Sequence, residues 1–70
     1  MDQIGKSTGE LLRFIMEKRN MNIAEVAEWS GMHSSVIEKL LLNQIPMTNE
    51  LAYRLNMATG IAMSVWTQRG

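Results

Sequence analysis

Seventy residues leave room for one small domain with a small core, because a chain of this size buries only ~60% of its unfolded surface. A hydrophobic share of 46% and a charged share of 20% exclude a disordered or low-complexity chain, and zero cysteines exclude a disulfide framework, a thiolate nucleophile and a cysteine metal cluster. Seven Lys plus Arg balance seven Asp plus Glu, so the chain has no net charge and lacks the basic excess usual in domains that live on phosphate contacts.

The first helical signal is Ser7-Thr8-Gly9-Glu10, a capping box in which Ser7 accepts from the third helical amide and Glu10 reaches back, followed by Leu11, Leu12, Ile15 and Met16. It predicts a helix from Thr8 to about Arg19. Asn20 suits a left-handed exit, and Asn22 is a good N-cap for a second helix over Ile23 to Ser30, with Val26 and Ala27 facing inward. Gly31 then ends that helix, Met32 turns inward, and His33 or Ser34 caps a third helix running to Leu42. Val36, Ile37, Leu40 and Leu41 form its buried stripe, which leaves Ser35, Glu38, Lys39 and Leu42 on or near the outside. Asn43 to Pro46 read as a loop. Thr48 caps a fourth helix carrying Leu51, Ala52, Leu55 and Ala58 until Gly60 breaks it, and a last short helix holds Val65 and Trp66. No strand alternation or hairpin dipeptide occurs, so the expected class is all-α with five helices in one domain over residues 1–70.

No apolar run reaches the ~18 residues needed to cross a bilayer, and Met1 to Lys6 lack the basic-then-apolar pattern of a signal peptide, so a cytoplasmic location is expected. Gly5-Lys6-Ser7 is like the end of a phosphate-binding loop, but the earlier glycine and the preceding strand are missing.

Asn22 to Asn43 is the informative stretch. Two helices of about eight residues joined by a short turn containing glycine make the helix-turn-helix pattern. Ala27 is small where the helices approach, Gly31 supplies the turn, Met32 plugs it and Ile37 fills the seam, leaving the second helix of the pair to project a polar face.

The matching features are Asn22-x-x-Glu25-Val26-Ala27, Gly31-Met32-His33-Ser34-Ser35-x-Ile37, then Ile45-Pro46-Met47-Thr48-x-Glu50-x-Ala52-x-Arg54-Leu55, and Gly60 followed by Trp66. On these, Gly9 to Gln68 resembles the Xre/Cro-type helix-turn-helix family, closest to its HigA and VapI antitoxin-like branch. The resemblance implies a lambda-repressor-like domain whose second motif helix, about 34–42, lies in the major groove of double-stranded DNA. Ser34, Ser35, Glu38 and Lys39 would then face base edges, with His33 near a phosphate. Serine can donate or accept at any base, glutamate accepts from cytosine and lysine donates to guanine. Asn43 and Gln44 stand where family members often carry a glycine and a basic residue, and they can hydrogen-bond phosphate without charge. Ile23 stands where a phosphate-anchoring glutamine is common. With Asn22 at the start of the preceding helix, the implied DNA-binding set is Asn22, His33, Ser34, Ser35, Glu38, Lys39, Asn43 and Gln44.

One His and scattered surface-type carboxylates offer no base poised against a nucleophile, so no catalysis, no cofactor and no metal site are expected. Two functions from different classes fit. One is a transcriptional regulator acting as a homodimer, with Ile61, Val65 and Trp66 at the dimer surface and an adaptable contribution from Met47, Met57 and Met63. The other is a protein-binding module of the same fold, holding a toxin or modulating a host complex, which the neutral charge, Ile23, Glu38, Leu42, Gln44 and an exposed Trp29 favour. The sequence does not place the basic residues Lys6, Arg13, Lys18, Arg19, Arg54 and Arg69 relative to the DNA side.

Overall fold

In the computed structural model, which describes residues 7–69 with the side chain of Arg69 excepted, the helices are α1 Thr8–Lys18, α2 Ile23–Ser30, α3 Ser34–Leu41, α4 Asn49–Thr59 and α5 Met63–Arg69. α1, α2 and α4 start at side-chain caps, and α1 to α4 each stop at or just before a left-handed residue, so the loose backbone groups at these ends find partners. No strand occurs among the described residues. Lys6, one of the basic residues that the sequence does not place, lies outside them, as does the Arg69 side chain.

Three N-caps follow the sequence directly. Glu10 N donates to Ser7 Oγ at 3.2 Å, Glu25 N to Asn22 Oδ1 at 2.8 Å, and Leu51 N to Thr48 Oγ1 at 3.2 Å. The reciprocal box expected at Ser7 and Glu10 forms at α2 instead, where Asn22 N also donates to Glu25 Oε1 at 3.0 Å; at α1 only the Ser7 half is made. At the other ends, Asn20 and Asn43 take positive φ values of 55° and 58°, standing where glycine is commonest. Met21 N then closes onto Met16 O, and Gln44 N onto Lys39 O, across one further turn. α1 and α3 each end one residue earlier than expected, with Arg19 and Leu42 as C-caps.

α2 and α4 share a second stopping device. Ser30 and Thr59 are buried hydroxyls, each followed by a left-handed glycine. Ser30 Oγ donates to Ala27 O and accepts from Met32 N, both at 3.3 Å; Thr59 Oγ1 donates to Leu55 O at 2.7 Å and accepts from Ile61 N at 3.1 Å. Each hydroxyl therefore satisfies one carbonyl inside the helix and one amide beyond the turn, which removes the cost of burying a polar group.

The core gathers Leu12, Ile15 and Met16 of α1, Val26 of α2, Ile37 and Leu40 of α3, Ala52 and Leu55 of α4 and Trp66 of α5. α1 packs on α3, α2 on α3 and α4, and α4 on α5. Trp66 corrects an expectation. It was assigned to a dimer surface, yet it is 0% exposed and the largest wholly buried side chain, because α5 folds back on α4 and turns its apolar stripe inward. Asn56 holds that return by donating from Nδ2 to Ile61 O at 2.9 Å. Ile61 and Val65 stay half-buried. Met47 and Met63 also pack against the core, so Met57 alone of the three methionines is strongly exposed.

Candidate functional site

The helical period divides α3 into two faces. Ile37 and Leu40 are buried and Val36 and Leu41 half-buried on one side; Ser35, Glu38, Lys39 and Leu42 are exposed on the other. Leu42 is the C-cap, but its φ of −93° and ψ of 2° keep it close to the helical path, so it continues the i, i+3, i+4, i+7 series begun by Ser35. At 60% exposure it closes the outer face at the C-terminal end of α3, one turn after a carboxylate and an ammonium. Four of the expected DNA-contacting residues, Ser34, Ser35, Glu38 and Lys39, are thus brought together on exposed positions of one short helix.

Gly31 makes this presentation possible. Its φ of 73° lets the chain reverse within three residues, and Gly31 N and Met32 N both donate to Ala27 O, at 2.9 and 3.1 Å. From α4, Arg54 reaches over the turn: its Nη1 donates to Ser30 O at 3.3 Å and Gly31 O at 3.4 Å, while its other nitrogens hold Glu50 at 3.0 to 3.1 Å. A cation against the last carbonyls of α2 is also favourable to that helix dipole. His33 begins α3 as its N-cap in extended geometry, without a side-chain cap bond. Its Nδ1 lies 3.3 Å from Ser35 Oγ, so it is part of the outer polar group.

The remaining expected contacts are placed differently. Asn22 is engaged in the α2 capping box and lines a cleft with Arg13, Glu17, Ile23 and Leu41, a cleft that contains none of Ser34, Ser35, Glu38 or Lys39. Asn43, expected at a phosphate, turns back instead to the start of α1: its Oδ1 accepts from Gly9 N at 3.0 Å and its Nδ2 donates to Ser7 Oγ at 3.1 Å. Both its polar atoms satisfy the α1 terminus. Gln44 is exposed beside it, in a polar concavity with Ser7, Thr8 and Pro46. Among the basic residues, Arg19 donates to Thr59 O and Arg54 to the α2 terminus, so both serve the fold. Lys18 Nζ lies 5.8 Å from the centre of the Phe14 ring. Arg13 borders a shallow concavity with Ile23, Glu38, Leu41 and Leu42, which puts it beside the outer face of α3.

Two substitutions separate the backbone role of Asn43 from its side-chain role. Asn43→Gly keeps the left-handed backbone and loses the two bonds to α1, for an expected loss of about 1 kcal/mol. Asn43→Ala adds the strain of a left-handed alanine, for about 2 kcal/mol in all. Urea midpoints check the order; equal stability of all three proteins would mean that Asn43 does not bridge α3 to α1.

No group of three or more metal-capable side chains occurs among the described residues, and no described helix is long and apolar enough to cross a membrane. No protein-family model matches the chain, and a search of the curated proteins finds no relative.

Proposed function

We propose that this protein is a sequence-specific double-stranded DNA-binding transcriptional regulator of the lambda-repressor-like helix-turn-helix class, acting as a homodimer. The observation that carries the reading is the outer face of α3: Ser34, Ser35, Glu38, Lys39 and Leu42 stand exposed opposite the buried Ile37 and Leu40, on a helix held to α2 by a three-residue turn. A single α-helix fits the major groove, and this face offers hydroxyls, a carboxylate and an ammonium to base edges. Pairing follows from charge. One domain with Lys39 and Arg13 near the face makes few phosphate contacts, and two copies double them over half-sites about ten base pairs apart. The half-buried Ile61 and Val65, with Tyr53 and Met57 exposed on α4, are the surface we assign to the pairing.

Titration of a labelled duplex pool by fluorescence anisotropy at low and physiological salt tests the reading. Selection of a palindromic sequence with a steep loss of affinity on adding salt is the expected result. Lys39→Glu is expected to cost about 3 kcal/mol of binding, about a hundredfold, while leaving the fold intact at an exposed position. Unchanged affinity and an unchanged salt slope in that variant would remove α3 from the docking face.

A second reading has its own observation. Leu42 on the outer face, the internal use of Arg19 and Arg54 and the zero net charge suit a protein partner such as a toxin. Such an apolar contact depends little on salt, so the same titration separates the two.

A further inference from the structure

We infer that Arg54 is a positioning residue for DNA recognition, fixing from α4 the direction in which the first turn of α3 is presented, a role that rests on the DNA-binding reading above. Its planar guanidinium is held on two sides. Nε and Nη2 donate to Glu50 Oε2 at 3.1 and 3.0 Å, while Nη1 donates to Ser30 O at 3.3 Å and Gly31 O at 3.4 Å. Nη1 also fills the space over the turn, where a Cβ added to Gly31 would meet it at 3.1 Å. α4 packs chiefly on α2 and α5, and α3 on α1 and α2, so the arginine ties α4 to the turn from which α3 starts. Gripping two carbonyls and a carboxylate at once needs a fork of nitrogens, which lysine lacks. With its charge already engaged by Glu50, Arg54 adds direction to the site and little attraction for phosphate.

The turn matters because the far end of α3 is fixed separately. There Gly9 lies against the Leu40 and Leu41 carbonyls, and Asn43 bonds to Gly9 and Ser7. With that end pinned to α1, slack at the turn becomes movement of Ser34 and Ser35, which follow Gly31 by three and four residues. These N-terminal residues are the ones a recognition helix brings to base edges. α3 has eight residues, so it is about 12 Å long, and a tilt of roughly 10° about its C-terminal end displaces its first residues by about 2 Å. That exceeds the tolerance of a hydrogen bond. The burial of Ile37 and Leu40 is non-directional, whereas the bonds at the two ends of the helix have direction.

Specific and nonspecific binding separate position from charge. The full chain selects a duplex from a random pool, and affinities for that duplex and for a scrambled one are measured over a range of salt for the wild type, Arg54→Met, Arg54→Lys and Glu50→Gln, each checked for helix content by circular dichroism. Arg54→Met is expected to bind the selected duplex about tenfold more weakly, within what one base contact contributes, with the scrambled affinity and the salt slope unchanged. Arg54→Lys is expected to match it, because the charge stays and the fork is lost, and Glu50→Gln to fall in the same direction by less. Should Arg54→Met fail to fold, these two carry the same comparison. Rescue by lysine, with a salt slope lowered by about 0.9 for each subunit in Arg54→Met, would make Arg54 a phosphate contact and overturn the inference. Unchanged affinity for the selected duplex, with only a lower urea midpoint, overturns it too and leaves the arginine a role in stability alone. Both results keep the DNA-binding reading in place. Failure to select or bind any duplex at low salt removes that reading, and this inference with it.

Discussion

Gly9→Ala is expected to destabilise the protein by about 3 kcal/mol, with a fall in Tm of roughly 12–24 °C. The sign is the informative part. In an ordinary helix this exchange stabilises by about 0.5–1 kcal/mol, since alanine loses less backbone freedom on folding. Here α1 crosses the end of α3 so closely that a Cβ on residue 9 would overlap the Leu41 carbonyl oxygen and lie 2.9 Å from the Leu40 oxygen and the Leu41 carbonyl carbon. All three are backbone atoms of the α3 exit, so no rotamer change relieves the contact; the helices must separate. Separation also pulls Gly9 N from Asn43 Oδ1, a bond that satisfies one of the loose amides of α1. A thermal or urea unfolding curve decides the matter. Gly9→Ala as stable as the wild type, or more stable, would show that α1 and α3 lie farther apart than described.

The elements themselves were legible because their signals are local. Ser7, Asn22 and Thr48 sit three residues before the amides they cap, and Gly31 and Gly60 sit just past the helices they stop, so a window of a few residues carries each boundary. The α3 stripe of Ile37 and Leu40 was readable from the same helical period, and Trp29, expected to be exposed, is 64% exposed. Trp66 was misread because its burial depends on α5 folding back over α4, and nothing within its own seven-residue helix says which face that return covers.

In the candidate site, exposure was legible and commitment was not. Ser34, Ser35, Glu38 and Lys39 are exposed as the period requires. Asn22 of the expected set is engaged locally in its capping box, but Asn43 bonds to Gly9 across 34 residues, and of the basic residues the sequence left unplaced, Arg54 bonds to Ser30 across 24 and Arg19 to Thr59 across 40. No local pattern reports the three long-range bonds. One signal was available for Asn43, since an asparagine just past a helix is the usual substitute for glycine in the left-handed position, and the same holds for Asn20. Leu42 was readable too, seven residues after Ser35, once the helix was continued through its cap.

Ile37→Asp is expected to unfold the protein outright, and the reason bears on the docking face as much as on stability. At ~0.05–0.15 kcal/mol per residue, a chain of 70 residues has roughly 4–10 kcal/mol in hand. Ile37 is 0% exposed in the core formed with Leu12, Val26, Leu40 and Leu55. Aspartate there loses the packing of a large aliphatic side chain and buries a carboxyl with no partner, together about 5 kcal/mol or more. Ile37→Val, which removes one methylene and keeps the site apolar, is expected to cost about 1 kcal/mol and stay folded. Because α3 has a single register, the residue that must face inward fixes those that must face outward: Glu38 and Lys39 follow Ile37 immediately and are turned from it by one and two helical steps. Circular dichroism on Ile37→Asp and Lys39→Glu therefore tests both faces of one helix. A folded Ile37→Asp protein would rotate α3 about its axis and take Ser35, Glu38, Lys39 and Leu42 off the outer face. Loss of fold in Ile37→Asp with retention in Lys39→Glu holds the register in place, and with it the surface on which any ligand of α3 must act.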